Sequence, residues 1–186
     1  MSTKFIETSE KLKAKLAEIA KKVESGGKLR VGFLEGSTET KGGEVVSIPM
    51  IAAIQEFGAP KVGIPPRPFF RNCIKENSDK WGDAVAKALI ATGYDGQQAL
   101  KIVGAGIQAQ LKQSITDTNS PPLSPVTLML RMMRSQGGPN FVVTGRTVAE
   151  ARQRVENGET ASGVSTKPLI DSGQMQQAVD FEVVGK

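Results

Sequence analysis

Ile51-Ala52-Ala53-Ile54-Gln55-Glu56-Phe57-Gly58, followed by Ile64-Pro65-Pro66-Arg67-Pro68-Phe69-Phe70-Arg71-Asn72, is the stretch on which the fold turns. Met50, Ile51, Ile54 and Phe57 make a short apolar stripe at helical spacing. Ser47 and Pro49 before it suit a helix start, and Gly58 suits the left-handed position just past a helix end. Pro60, Pro65, Pro66 and Pro68 then exclude helix and central strand, and hold the connector extended. Phe70, Cys73, Ile74, Trp81, Val85, Ala88 and Leu89 resume the helical period, which predicts a long helix over 68–92 stopped at Gly93.

Working outward, Leu12, Leu16, Ile19 and Val23 recur at helical spacing among lysines. They predict an amphipathic helix over 3–24, ended by Ser25-Gly26-Gly27, with this apolar side turned inward. Leu29, Val31 and Phe33 alternate with Arg30 and Gly32, as do Val179, Phe181 and Val183 with Asp180 and Glu182, so each run reads as a strand burying one face. Residues 35–43, polar and rich in Gly and Thr, read as an exposed, mobile loop that includes Glu35 and Glu39. Asp95 with Gln98 resembles a capping box opening a second long helix to Asp117. Its stripe is Leu100, Val103, Ile107, Leu111 and Ile115, and Gly104 and Gly106 inside it suggest close packing against another backbone. Ser124-Pro125 caps a short helix rich in Leu128, Met129, Leu130, Met132 and Met133. Residues 137–166 read as an insertion into a single domain spanning 1–186. Within it, Phe141-Val142-Val143 suits a short strand, and Thr147 with Glu150 suits a second capping box. The expected class is α+β: a small, mostly antiparallel sheet including 28–34 and 178–184, packed against the two long helices.

The composition narrows the function. Among 186 residues there is no histidine, which removes the commonest general base and metal ligand, and the lone Cys73 can build neither a disulfide nor a thiolate metal site. Cys73 falls on the apolar side of its helix and reads as a buried thiol. Asp79 and Asp83 stand at i, i+4 on an exposed face, and Glu35, Glu39 and Glu44 share a loop. Val103-Gly104-Ala105-Gly106 lies in mid-helix with no strand before it, so it is no phosphate cradle. Ser172 has no histidine to activate it. No catalytic residue, metal ligand or cofactor site is expected. No run approaches the roughly 18 apolar residues of a membrane span, and the N-terminus has no signal-peptide core. The net charge of +5 is concentrated in residues 1–30, where eight basic residues face four glutamates. Lys11, Lys15 and Lys22 are therefore candidates for a DNA channel or an acidic partner, against the plainer reading of a solvated face. Aromatics are only 5%, without the basic-aromatic interleaving of single-strand binders.

The two quoted segments, with Lys167-Pro168-Leu169-Ile170-Asp171-Ser172-Gly173-Gln174-Met175 near the C-terminus, occur in an order that resembles the neck or tail-completion proteins of long-tailed bacteriophages. Members of that family typically carry "EFG" ending a helix, "RPF" opening the next, and a "KPLIDTGQL"-like segment before the last strand. Ser172 and Met175 are conservative departures from it, and 137–166 is longer than in small members. The resemblance implies a non-enzymatic virion protein made in the host cytoplasm. It implies a homo-oligomeric ring, hexameric rather than dodecameric, that joins portal-side connectors to the tail tube or tail terminator. The alternatives are a tail terminator capping the tube, or a DNA-binding protein using the basic first helix. Packaged DNA would be touched nonspecifically, and no membrane is involved. Subunit contact is expected at Phe57, Gly58, Pro65, Pro66, Arg67, Pro68, Phe69 and Phe141, with loop 35–43 and the insertion, against the plainer reading of Phe69 and Phe70 as ordinary core. Asp171 or Ser172 is expected to cap the following short helix.

Overall fold

The computed structural model describes residues 3–33, 36–41, 44–138 and 141–185, without the side chains of 3–8, 41 and 44. In chain order the elements are α1 (Thr3–Glu24), β1 (Lys28–Phe33), β2 (Thr38–Lys41), β3 (Glu44–Ser47), α2 (Ile48–Phe57), a 3-10 turn at Pro60–Val62, α3 (Phe69–Ala91), α4 (Gly96–Asp117), α5 (Pro125–Gly137), α6 (Gly145–Glu156), α7 (Gln174–Gln177) and β4 (Val179–Val184). The fold is α+β, dominated by helices, with two small antiparallel sheets, β1 with β4 and β2 with β3.

The chain divides into two compact units. The first comprises Met1–Gly32, Glu76–Gln110 and Phe181–Lys186, the second Phe33–Lys75 and Leu111–Asp180. Segment 137–166 is thus part of the second unit.

In the first unit, Ala88, Ala99 and Val103 form a small core with Leu29, Val85, Leu89 and Ile107 packed on it. Arg30 faces Glu182 across the β1–β4 ladder at 3.2 Å. Gly104 is buried, and a Cβ there would lie 2.4 Å from the Phe181 ring and 2.8 Å from Leu29 Cδ1. The expected close approach is therefore real at Gly104, but against strand side chains. Gly106 has nothing within 4 Å of such a Cβ. Backbones do meet elsewhere: a Cβ on Gly96 would stand 2.8 Å from Gly26 Cα. Trp81 Nε1 donates to Gln110 Oε1 at 2.8 Å, which satisfies the indole between α3 and α4. The Asp95 carboxylate accepts from Gln98 N at 3.0 Å, as the capping pattern predicts.

The core of the second unit is Ile48, Ala52, Phe69, Cys73, Leu111, Ile115, Leu169, Met175 and Val179. It draws on α2, α3, α4, α7 and β4, so helical and strand periods that are separate in sequence converge on one cluster. A satellite core joins Met129, Met132 and Met133 of α5 to Ala151 of α6, with Phe141 and Val155 against it. Ser124 caps α5, its Oγ accepting from Thr127 N at 3.1 Å. Helix α6 starts earlier than expected. Thr144 is its cap and pairs reciprocally with Thr147, so Thr147 fills the third position of the box rather than the first. Residues 141–143 form no strand.

Loop 35–43 is another correction. Thr38–Lys41 pairs antiparallel with Glu44–Ser47, Lys41 opposite Glu44, and Glu39 is buried. Glu35, Gly42 and Gly43 lie outside the described residues.

Candidate functional site

The segment Gln55–Arg71 folds into a closed junction in which backbone groups are satisfied by its own motif residues. Helix α2 ends when Gly58 N donates to Ile54 O at 2.8 Å and Gly58 takes φ 76°. A Cβ at Gly58 would meet Pro66 N at 2.8 Å and Ile64 O at 2.9 Å, so glycine is required by conformation and by space. Ala59 and Ile64 then pair across the 3-10 turn, which brings the chain back on itself. Glu56, 5% exposed, lies at the N-terminus of α3. Its carboxylate accepts from Phe70 N at 2.8 Å, Arg71 N at 3.3 Å and Arg71 Nε at 2.7 Å. The first turn of a helix has unpaired N–H groups and a partial positive charge, so a carboxylate from the preceding helix is its natural partner. Arg67, 4% exposed, reaches the other way. Its Nε donates to Pro121 O at 2.9 Å, one terminal nitrogen to Gln55 Oε1 at 3.1 Å and the other to Pro122 O at 3.4 Å. Burial pushes its pKa down from the usual guanidinium range. Phe69 is 1% exposed and meets Phe33 and Phe70 edge-on at 6.2 and 6.4 Å, while Ser114 Oγ donates to its carbonyl at 2.6 Å.

A second junction gathers the Lys167–Met175 segment around Arg131. This guanidinium donates to the carbonyls of Ser165, Lys167, Ile170 and Pro168 at 2.7, 3.0, 3.0 and 3.3 Å. Its Nε lies 3.4 Å from the Asp171 carboxylate, which also takes a direct bond from Arg134. Burial lowers the Arg131 pKa, and Asp171 offsets part of that. Lys167 Nζ donates to Thr116 O at 3.1 Å, tying the segment to α4. Asp171 is therefore an arginine partner and not a helix cap. Helix α7 follows Gly173, which has no side chain to cap it. Ser172 Oγ accepts from Gln174 N at 3.4 Å in the first turn of α7, as expected of a cap, and donates to Glu39 Oε1 at 2.7 Å. A cleft of about 270 Å³ lies beside this junction, with Ile51, Leu130 and Met175 on its apolar side and Arg131, Asp171 and Glu39 among its charged lining.

The structure sorts the expected interface residues into two groups. Arg67 and Phe69 are interior, and their partners all belong to the second unit, so they are corrected from interface anchors to core fasteners. The pattern that misled is the aromatic pair after a proline run, which reads the same whether the rings point in or out. Phe141 is half-buried and packs against the methionine cluster. Gly58, Pro65 and Pro68 are half-buried and Pro66 exposed. Phe57 is 67% exposed, with the Arg71 guanidinium 5.4 Å from its ring centroid. Val62 at the 3-10 turn is 72% exposed. Lys11, Lys15 and Lys22 are exposed on α1, and Glu18 pairs with Lys15 at 2.9 Å and Lys22 at 3.0 Å. The expected inward face of α1 is overturned, since Leu12 and Leu16 are more than half exposed. An apolar stripe states that a helix needs cover, not that its own chain supplies it.

The roles of Glu56, Glu39 and Arg131 are not evident from the sequence pattern around them. Glu56 could have been found as the only acid in an apolar helix that stops just before a proline-led helix start. Among the described residues no group of three or more His, Cys, Asp or Glu side chains is placed to hold a metal ion. No described helix is long and apolar enough to cross a membrane. The Ser172–Glu39 pair has a carboxylate acceptor but no imidazole, in a chain without histidine. Comparison of the chain with family models, curated proteins and solved structures returns no match.

Proposed function

We propose that this protein is a structural, non-catalytic subunit of the neck of a long-tailed phage virion. It closes as a homo-oligomeric ring between the portal-side connector and the tail tube or its terminator. One observation carries the reading: the polar motif residues behind the family resemblance act as internal fasteners. Glu56 and Arg67 fix the turn between α2 and α3, and Lys167 and Asp171 fix the segment before β4. None is left free to do chemistry, and the motif instead presents one large apolar side chain, Phe57, outward beside Arg71. Exposed aromatic and arginine side chains on a rigid turn suit a subunit contact. A hexamer is favoured over a dodecamer because a neck ring must match a six-fold tail.

The test is electron microscopy of particles assembled with and without the protein. The proposal expects heads and tails to accumulate unjoined, or tails to stay incomplete, when it is missing. Particles that remain normally joined without it would refute the proposal.

A further inference from the structure

Helix α1 carries Leu12, Leu16, Ile19 and Val23 at intervals of four, three and four residues, the a/d spacing of a coiled-coil seam. Leu12 is 60% exposed, Leu16 56% and Val23 39%, while Ile19 is half-buried, so most of the seam is uncovered by this chain. At 3.6 residues per turn these four positions fall within about 60° of arc. That is narrower than the face an interfacial membrane helix buries, and its width fits one partner helix. The positions bordering the seam are Lys15 and Lys22 on one side and Lys13 and Ala20 on the other, all exposed. Glu18 sits behind the first border, held ionised by the hydrogen bonds of Lys15 and Lys22. One carboxylate against two ammonium groups leaves that border positive. A second copy of α1 would bring the same lysines and no bordering carboxylate to meet them.

We propose that α1 docks an amphipathic helix of a protein partner whose own apolar seam is bordered by carboxylates. Leu12, Leu16, Ile19 and Val23 supply the seam, and Lys13, Lys15 and Lys22 the selectivity. The border charges of a helix pair set partner choice by attraction to the right sequence and repulsion of the wrong one. DNA would engage the lysines but leave the seam exposed. The inference concerns the isolated chain and holds whether or not the neck reading does.

The experiment uses the full-length protein and two designed peptides of roughly four heptads with Leu at a and d. One has Glu, the other Lys, at every e and g position. Binding is followed by fluorescence anisotropy of the labelled peptide, with vesicles containing phosphatidylserine and a self-association series by sedimentation alongside. The wild type should bind the Glu peptide at least about tenfold more tightly than the Lys peptide, and more weakly at high salt. Leu12→Ser with Leu16→Ser should abolish this binding. The Lys13→Glu, Lys15→Glu, Lys22→Glu variant should invert the preference. The corresponding Lys→Gln variant, which keeps good helix formers throughout, should erase it. Several results would overturn the proposal: equal binding of both peptides, binding of neither, a preference unchanged by charge reversal, vesicle binding alone, or self-association through Leu12 and Leu16 that excludes the peptide.

Discussion

Glu56→Gln keeps the shape of the side chain and removes its charge. In the native junction the carboxylate accepts two N–H groups from the first turn of α3 and one from Arg71. The amide oxygen can keep either the Phe70 bond or the two Arg71 bonds, and its NH₂ group then faces the donors left over. A partly buried charge at a helix N-terminus contributes up to about 2 kcal/mol, and a hydrogen bond to a charged group about 1.5–3 kcal/mol. The substitution should therefore cost about 3 kcal/mol. Arg71 contributes little of this, because its side chain is 58% exposed and such pairs are worth at most about 1 kcal/mol. With a urea m-value of about 2 kcal/mol/M, the midpoint of the second unit should fall by about 1.5 M in Glu56→Gln and by under about 0.5 M in Arg71→Ala. The assay is urea unfolding followed by far-UV circular dichroism and by Trp81 fluorescence. Trp81 lies in the first unit, so noncoincident curves would separate the two transitions. In the double-mutant cycle the coupling should stay below about 1 kcal/mol. If Arg71→Ala costs as much as Glu56→Gln, with coupling equal to the whole effect, Glu56 is an ion-pair partner and the helix-cap argument is wrong.

Phe69→Ala should cost about 4 kcal/mol by urea unfolding, while Phe57→Ala should stay within about 0.5 kcal/mol, because only the first ring is in the core. Arg131→Met should lose about 3 kcal/mol, since four carbonyls lose their donor and Asp171 loses one of its two arginine partners, and limited proteolysis should then cut within 165–171. Two glycines of α4 should respond oppositely in thermal melts. Gly104→Ala would push a methyl into Phe181 and Leu29 and cost about 1–3 kcal/mol, whereas Gly106→Ala faces open space and should stabilise by about 0.5–1 kcal/mol.

The regular elements were legible because their periods are long and their punctuation is chemical. Gly58, Asp95 and Ser124 each mark a helix boundary by a local mechanism that the structure reproduces. The β2–β3 hairpin was missed because Thr38–Lys41 is polar throughout, although Gly42-Gly43 between two short runs is a known hairpin signal. Helix α6 was misplaced by three residues because Thr144 and Thr147 are both plausible caps and only the backbone decides between them. Direction was the harder problem. Phe57 and Phe69 stand in similar motif contexts, yet one faces solvent and the other the core. Likewise, the stripe on α1 shows an apolar face without showing who covers it. Arg131 was opaque for a different reason: its carbonyl partners lie more than thirty residues downstream, in a segment with no period to read.

A cryo-electron reconstruction of the intact particle tests the proposed neck role most directly. The account predicts six-fold, or less readily twelve-fold, density for this chain between portal and tail, with Phe57 and Arg71 at the contact between neighbouring subunits. A reconstruction that resolves the whole portal-to-tail axis and contains no ring of this chain would contradict it.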